Sequence, residues 1–379
     1  MPRHQIIGRL AARFPVVWLG PTPGWREYLR PGGPHFLAPD RFYAPTAGLD
    51  VYRPGWRHPL VYKPAALGRR FLRGRLAAAR RRLIEDGATH IVLYLWRDEF
   101  ADALDQVAHD ASCYHVDDEY SFSEREVPNS EREVTLIRRV DQVIVHSPAL
   151  LRKKGGINPH TALVPNGVDF EAFSRRHPMP PDLAVIPPPR VGYAGVIKKQ
   201  LDLDLMVRLA RARPHYSFVF VGPVMNAAGK REQLAALENL PNVFFLGPKR
   251  VEELPAYSQH FDVCLMCYEV NDYTNHIFPL KLNEYLATGR PVVAAPIESV
   301  RNLDVVTLAT SDQEWLAAID RHLNEGDAAA EAAARRIAFA RAHDWNVLAE
   351  RIARLIEGAV ARNIPVAGQG GALGKAFVS

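Results

Sequence analysis

Cysteine is scarce: Cys113, Cys264 and Cys267 are the only three in 379 residues. So small and odd a count excludes a disulfide scaffold and fits reduced thiols at a cytosolic address. Cys264 and Cys267 have the C-x-x-C form, but they lie in the strand-like FDVCLMCY with no second Cys or His pair nearby. Strand alternation sends residues three apart to opposite faces, so core packing is the expected role. Long apolar runs are also missing. IVLYLW is among the longest, against the roughly 20 residues a spanning helix needs. The opening MPRHQIIGRLAARFPVVWLG scatters its charges and offers no small-residue cleavage site, so no signal peptide is expected. PVVWLG, Pro15 to Gly20, reads as a first buried strand, yet no G-x-G-x-x-G follows it, which excludes a dinucleotide fingerprint there.

What is present is a folded-protein composition, 47% hydrophobic and 23% charged, long enough for two full cores. The formal net charge of +5 is unevenly spread. Met1 to Arg97 holds 17 basic and 5 acidic residues, whereas Asp98 to Glu133 holds 2 basic and 12 acidic. A basic N-terminal region suits an anionic partner, although a solvated surface explains it equally. Trp25, Tyr43, Tyr52 and Trp56 stand among arginines in a Pro- and Gly-rich stretch suited to gripping an acceptor. From Gly68 to Asp86, Leu72, Leu76, Ala79 and Leu83 form a helical stripe with arginines on the other faces. Such a helix, Arg69 to Arg82, can lie on anionic lipid.

From there strand-like and helix-like segments alternate, as in parallel sheets with right-handed crossovers. SCYHVDD, Ser112 to Asp118, is a strand ending in a carboxylate pair, where ligands bind in such sheets. Ser147 and Asp169 are expected helix caps. HPMPPDLAVIPPPR, 177–190, reads as a linker, and RVGYAGVIKKQLDLDL opens a second domain with a glycine-bearing loop that can approach a phosphate. Asp202-Leu203-Asp204 reads as a helix start and not as a metal site.

The most informative stretch is NHIFPLKLNEYLATGRPVV, Asn275 to Val293. Pro279 suits a first helical turn, Gly289 a C′ position, and Lys281 and Glu284, three apart, share one face. A diphosphate can sit at this helix start, and a carboxylate one turn in can accept both hydroxyls of a ribose.

The pattern N-x-x-x-P-x-K-x-x-E-Y-L-A-x-G-x-P-V-V resembles the donor-site signature of the GT-B glycosyltransferases, especially those like family 4. The resemblance implies an α/β fold of GT-B architecture, with two doubly wound Rossmann-like domains facing across a cleft. It implies an acceptor domain over 1–176, joined by a helix over 345–362 that packs back on it. A Pro-rich linker (177–190), a nucleotide-sugar domain (191–344) and a Gly-rich, loosely tethered tail (363–379) complete the expected division. Lys281 is implied to contact the donor diphosphate and Glu284 the ribose. Leu280, Asn275, Gly195, Lys198 and Lys199 are implied to lie about the donor, with Pro248 and Lys249 near the base. YHVDDEYSF is similar to the acceptor-facing segment of some bacterial members, which makes Asp118 the candidate base and Asp117 its alternate. His115, Glu119 and Trp25 are placed on the acceptor side. Family-4 members usually carry another Glu eight residues before the ribose-binding one; here that position is His276, and retention versus inversion stays open.

The implied reaction moves a sugar from a nucleotide-sugar donor to a hydroxyl of a glycan, lipid-linked or small-molecule acceptor. The implied role is in polysaccharide biosynthesis, with no cofactor, no metal and no nucleic acid. The implied address is cytoplasmic, peripheral on the inner face of the membrane. An epimerase or hydrolase of nucleotide sugars, and a non-catalytic polyanion- or membrane-binding protein, are the alternatives.

Overall fold

The apolar runs become the strands of two separate sheets. The computed structural model describes residues 2–116, 130–225, 229–324, 328–364 and 375–378. In chain order the strands are β1 (Val16–Leu19), β2 (Arg41–Thr46), β3 (Leu49–Arg53), β4 (His90–Leu95), β5 (Ala111–Val116), β6 (Gln142–Val145) and β7 (Thr161–Leu163). They continue with β8 (Arg190–Ala194), β9 (Ser217–Val221), β10 (Val243–Phe245), β11 (Val263–Met266), β12 (Val292–Ala294), β13 (Thr307–Leu308) and β14 (Lys375–Val378). Contacts divide the chain into unit 1 (Met1–His146, Leu150–Val164, Leu348–Ser379) and unit 2 (Ser147–Ala149, Pro165–Val347).

Among the described residues, the sheet of unit 1 runs β2-β3-β1-β14-β4-β5-β6-β7. It is parallel apart from the β2–β3 hairpin. The sheet of unit 2 runs β10-β9-β8-β11-β12-β13 and is parallel throughout. Starting from β8, this is the doubly wound order 3-2-1-4-5-6, whose strand succession reverses between β8 and β11. Strands β5, β6, β8, β9 and β11 are buried at every residue. This is why their sequences read as unbroken apolar runs: both faces of a parallel sheet are covered.

Several sequence expectations change here. The division falls at Val164/Pro165 and not at 176. The Pro-rich 177–190 is no free linker, because Leu183 and Ile186 are buried in the core of unit 2. Lys249 Nζ meets Asp182 of that stretch at 2.7 Å, so Lys249 is held by the fold and not presented to a base. The tail, expected to be loose, supplies β14, which pairs in parallel with both β1 and β4. Gly-rich sequence before it hid a short β-forming run, KAFV. The stripe Leu76, Ala79 and Leu83 packs into the core of unit 1, so the basic helix turns its apolar face inward. Its arginines are partly committed too: Arg75 is buried, Arg82 Nε bonds Asp50 at 2.6 Å, and Arg80 Nε bonds the Ala108 carbonyl. Cys264 and Cys267 are buried free thiols, and burial pushes the Cys267 thiol up to about 12.

Candidate active site in unit 2

The reversal between β8 and β11 sets the site, since ligands of such sheets bind beyond the carboxyl ends of the strands at that point. Gly195 follows β8, Tyr268 follows β11, and the helix Leu280–Ala287 supplies Lys281 and Glu284. Pro279 stands one place before the first helical residue, as the cap, with φ −65°. The helix closes through Gly289, whose φ is +76°. Leu282, Tyr285 and Leu286 are fully buried, while Leu280, Lys281 and Glu284 are half-buried on the other side. Asn283, also fully buried, donates from Nδ2 to the Asn166 carbonyl at 2.7 Å. Asn166 Nδ2 in turn donates to the Phe278 carbonyl at 2.8 Å, which fixes the entry to the helix.

Lys281 is held by aromatic groups. Its Nζ donates to Tyr268 Oη at 2.8 Å and sits 4.9 Å from the centroid of the Tyr193 ring and 5.3 Å from that of Tyr268. Burial works against its charge, but the Tyr193 and Tyr268 phenols outweigh it and hold the ammonium above its ordinary range. Burial also holds the phenols of Tyr193 and Tyr285 well above theirs, so both present neutral O–H groups. Tyr193 Oη donates to the Val196 carbonyl at 2.9 Å, and Tyr285 Oη accepts from the Ala194 N–H at 2.7 Å. The loop after β8 is thereby fastened on both sides.

That loop passes very close to Lys281. Gly195 has φ +142°, and a Cβ there would lie 3.0 Å from Lys281 Nζ. Gly222, at the end of β9 with φ +143°, packs so tightly that a Cβ would lie 2.1 Å from the Gly195 carbonyl oxygen. Only glycine adopts such backbone without strain. Glu284 differs from Lys281: among the described residues its carboxylate has no hydrogen bond or ion pair. Burial raises its pKa, and the Lys281 charge offsets this only in part.

The other residues expected on the donor side lie on separate loops and helices of unit 2. Asn275 Oδ1 accepts the Glu298 N–H at 3.1 Å, tying its helix to the loop after β12. Lys198 is half-buried, and Lys199 and Pro248 are exposed. Ser147 Oγ donates to the His276 carbonyl at 2.6 Å. Asp202 and Asp169 do cap their helices, accepting from the N–H groups of Leu205 and Ala172.

In unit 1, Asp117, Asp118 and Glu119 lie outside the described residues. His115 is buried on β5, with Nδ1 2.6 Å from Tyr94 Oη and its ring stacked on Trp96 at 4.6 Å. Trp25 is 48% exposed, with the Arg26 guanidinium 5.3 Å from its ring centroid. Sequence reading missed Tyr193, Tyr268 and Tyr285, which looked like core aromatics, and Trp96, a buried indole whose N–H has no partner among the described residues. A polar recess of about 240 Å3 lies at the amino ends of β5 and β6. Its Asp141 is already bonded to Ser112 Oγ at 2.7 Å and to Asn363 Nδ2 at 2.8 Å, so we assign it to structure.

The fold is that of the GT-B class, as comparison with solved structures shows. Solved structures of similar fold include sucrose-phosphate synthase from Thermosynechococcus elongatus, with TM-score 0.64 and 18% identity over 92% of this chain and 100% of that one. The trehalose-6-phosphate protein from E. coli bound with UDP-2-fluoro glucose gives TM-score 0.67 and 14% identity over 93% and 95%. At these identities the likeness is one of fold. Residues 188–325, within unit 2, match the family model described as Glycosyl transferases group 1. Over 235 residues the chain is 32% identical to TuaH of Bacillus subtilis (strain 168), provisionally named a teichuronic acid biosynthesis glycosyltransferase. The match takes in 58% of this chain and 57% of that protein, so the chain spans little more than half of that relative.

Proposed function

We propose that the protein is a glycosyltransferase that moves a sugar from a nucleotide-sugar donor to a hydroxyl of a glycan, lipid-linked or small-molecule acceptor. The observation that carries this reading is the pairing of a clamped cation with an unpartnered half-buried carboxylate beside a glycine-only loop. Lys281, the Gly195 loop and the start of the helix Leu280–Ala287 stabilise the diphosphate that leaves, by preorganised charge and dipoles. This reading invokes no metal and no cofactor. Glu284 accepts the two ribose hydroxyls, Asn275, Leu280, Lys198 and Lys199 surround the donor, and Pro248 borders the base. Asp118, or Asp117 beside it, takes the acceptor proton as general base. His115, Glu119 and Trp25 serve the acceptor side.

Two comparisons support the substrate classes. UDP-2-fluoro glucose is bound in the E. coli structure of similar fold, and TuaH is named for the biosynthesis of a polysaccharide. A role in polysaccharide biosynthesis at the cytoplasmic side of a membrane follows from the same reading. The test is calorimetric titration with the diphosphates of uridine, guanosine and thymidine. One of them binds, and Glu284→Ala weakens it by about 10–100-fold, the loss expected for hydrogen bonds to a charged group. If none binds, or if Glu284→Ala leaves the affinity unchanged, the reading fails. Nucleotide release from the sugar donor then has to depend on acceptor, as an epimerase or hydrolase would not require.

A further inference from the structure

Residues 23–70 of unit 1 carry an exposed arrangement of large apolar and basic side chains that extends well beyond Trp25. The segment is knit into one piece by its own backbone. Gly24 bridges Leu60, the Leu37 N–H bonds the Tyr28 carbonyl, and the Trp56 N–H bonds the Ala38 carbonyl. The hairpin of β2 and β3 lies within it, and Gly68, on the first turns of the basic helix, packs directly against the Val61 carbonyl.

Large apolar side chains stand out from this piece instead of entering the core. Trp25, Leu29, Leu37, Trp56 and Tyr62 are 48, 56, 48, 45 and 78% exposed. Arginines are interleaved with them: Arg26, Arg30, Arg41, Arg53, Arg57 and Arg70 are all exposed, and none forms an ion pair among the described residues. Four of the six lie over neighbouring aromatic rings, Arg26 on Trp25, Arg41 and Arg53 on Tyr43, and Arg57 on Trp56. The acids of the segment are turned to structural bonds. Glu27 accepts the Gly24 N–H, Asp40 accepts the Gly55 N–H and meets His58, and Asp50 meets Arg82. The face is left apolar and cationic at once.

We propose that this surface docks on an anionic lipid bilayer. Charge alone would suit any polyanion, but a polyanion gains nothing from exposed Leu29 and Leu37, whereas the headgroup boundary takes Trp and Tyr rings, aliphatic side chains and arginines together. No helix of the described residues is long and apolar enough to cross a membrane, so contact of this kind is peripheral. The contact is not the helix stripe that the sequence suggested: its leucines face the core, and only its first turns, with Arg70, join the surface. The proposal does not depend on the transferase reading, because vesicle binding is measured without any sugar donor.

The test is sedimentation of the full chain with phosphatidylcholine vesicles, with and without phosphatidylglycerol. The protein should partition onto the anionic vesicles only, and added salt should weaken it. Arg26→Gln with Arg57→Gln should lower the partition coefficient by about 25-fold, at about fivefold for each arginine near such a surface. Leu29→Ser with Trp56→Ser, which leaves the charge unchanged, should lower it as well. Arg250→Gln, an exposed arginine of unit 2, should not. Melting curves of all three variants should match the parent, since every changed side chain is exposed. Failure to bind anionic vesicles overturns the proposal. So does binding that ignores the Leu29/Trp56 change and is matched by soluble polyglutamate, because the face would then be a plain polyanion site.

Discussion

Replacing Gly195 by alanine tests the geometry of the proposed donor site where its loop meets Lys281. The new methyl group meets Lys281 Nζ at 3.0 Å, Lys281 Cε at 3.1 Å and Tyr193 Oη at 3.4 Å. The ammonium is the far end of a flexible chain and can retreat by a few tenths of an ångström, so the steric part is small. The backbone part is larger, since φ +142° is glycine territory and an L-residue there costs about 1–3 kcal/mol. A loss of about 2 kcal/mol lowers the melting temperature by about 4–8 °C for a domain of roughly 150–250 residues. The retreat also pulls Lys281 from its 2.8 Å bond to Tyr268 and away from an incoming diphosphate. Nucleoside diphosphate affinity should fall by about 10–100-fold, the worth of one charge-assisted hydrogen bond. Differential scanning calorimetry and isothermal titration read the two effects. Gly8→Ala is the control: Gly8 sits inside the helix Pro2–Leu10 with nothing within 4 Å of a Cβ, so alanine there should stabilise by about 0.5–1 kcal/mol. If Gly195→Ala melts and binds like the parent, the close approach of loop and lysine is not what shapes this site.

Two further outcomes follow from buried charge. In unit 1, Lys154 Nζ lies 2.5 Å from Glu133 Oε1, with side chains 0 and 8% exposed, and Tyr114 Oη donates to the same oxygen at 3.1 Å. Lys154→Met strands the carboxylate and should cost about 3–5 kcal/mol in chemical denaturation, whereas Lys154→Met with Glu133→Leu should recover most of it; equal losses would refute the pairing. In unit 2, burial raises the pKa of Glu284 above its unfolded value near 4.5. A raised folded pKa means stability that is present below 4.5 and lost as pH rises through the folded value. Glu284→Gln should therefore raise the melting temperature of the unliganded protein at neutral pH, and the gain should vanish below pH 4.5. Ligand affinity of the parent should fall as pH drops through the raised pKa, because the protonated carboxyl accepts ribose hydroxyls poorly. A Glu284→Gln protein no more stable at neutral pH than the parent would contradict the burial argument.

The parts of this molecule that local rules govern were legible in its sequence. The alternation of apolar runs and helical segments announced parallel sheets, and the caps at Asp169 and Asp202 and the closing Gly289 follow from single-residue chemistry. Lys281, Glu284 and Gly195 were singled out by a helix start and a glycine loop, which are local signals, together with the resemblance to the GT-B donor signature. What escaped was the partner set. Tyr193, Tyr268 and Tyr285 come from β8, the loop after β11 and the helix, and only the strand order 3-2-1-4-5-6 brings the first two together. The Arg69–Arg82 helix misled because amphipathicity reports that one face is apolar, not which neighbour covers it. KAFV was too short and too deep in glycine-rich sequence for a period to show.

The candidate site of unit 2 gathers several groups that the fold alone leaves unrelaxed. Gly195 and Gly222 hold backbone that only glycine tolerates. Glu284 keeps a half-buried carboxylate without a donor, and the oxygens Asn283 Oδ1 and Ser299 Oγ are buried without partners among the described residues. A fold selected for stability alone would fill positions 283, 284 and 299 with glutamine or apolar side chains, each a small gain. Lys281 shows the opposite economy: its charge is fully caged by two phenol rings although no carboxylate touches it. A site that keeps a cation fixed and an acceptor unsatisfied across one turn of helix is preorganised for a ligand that brings phosphate to the first and hydroxyls to the second. On the function we propose, a nucleoside diphosphate supplies both, without the protein having to reorganise when the sugar departs.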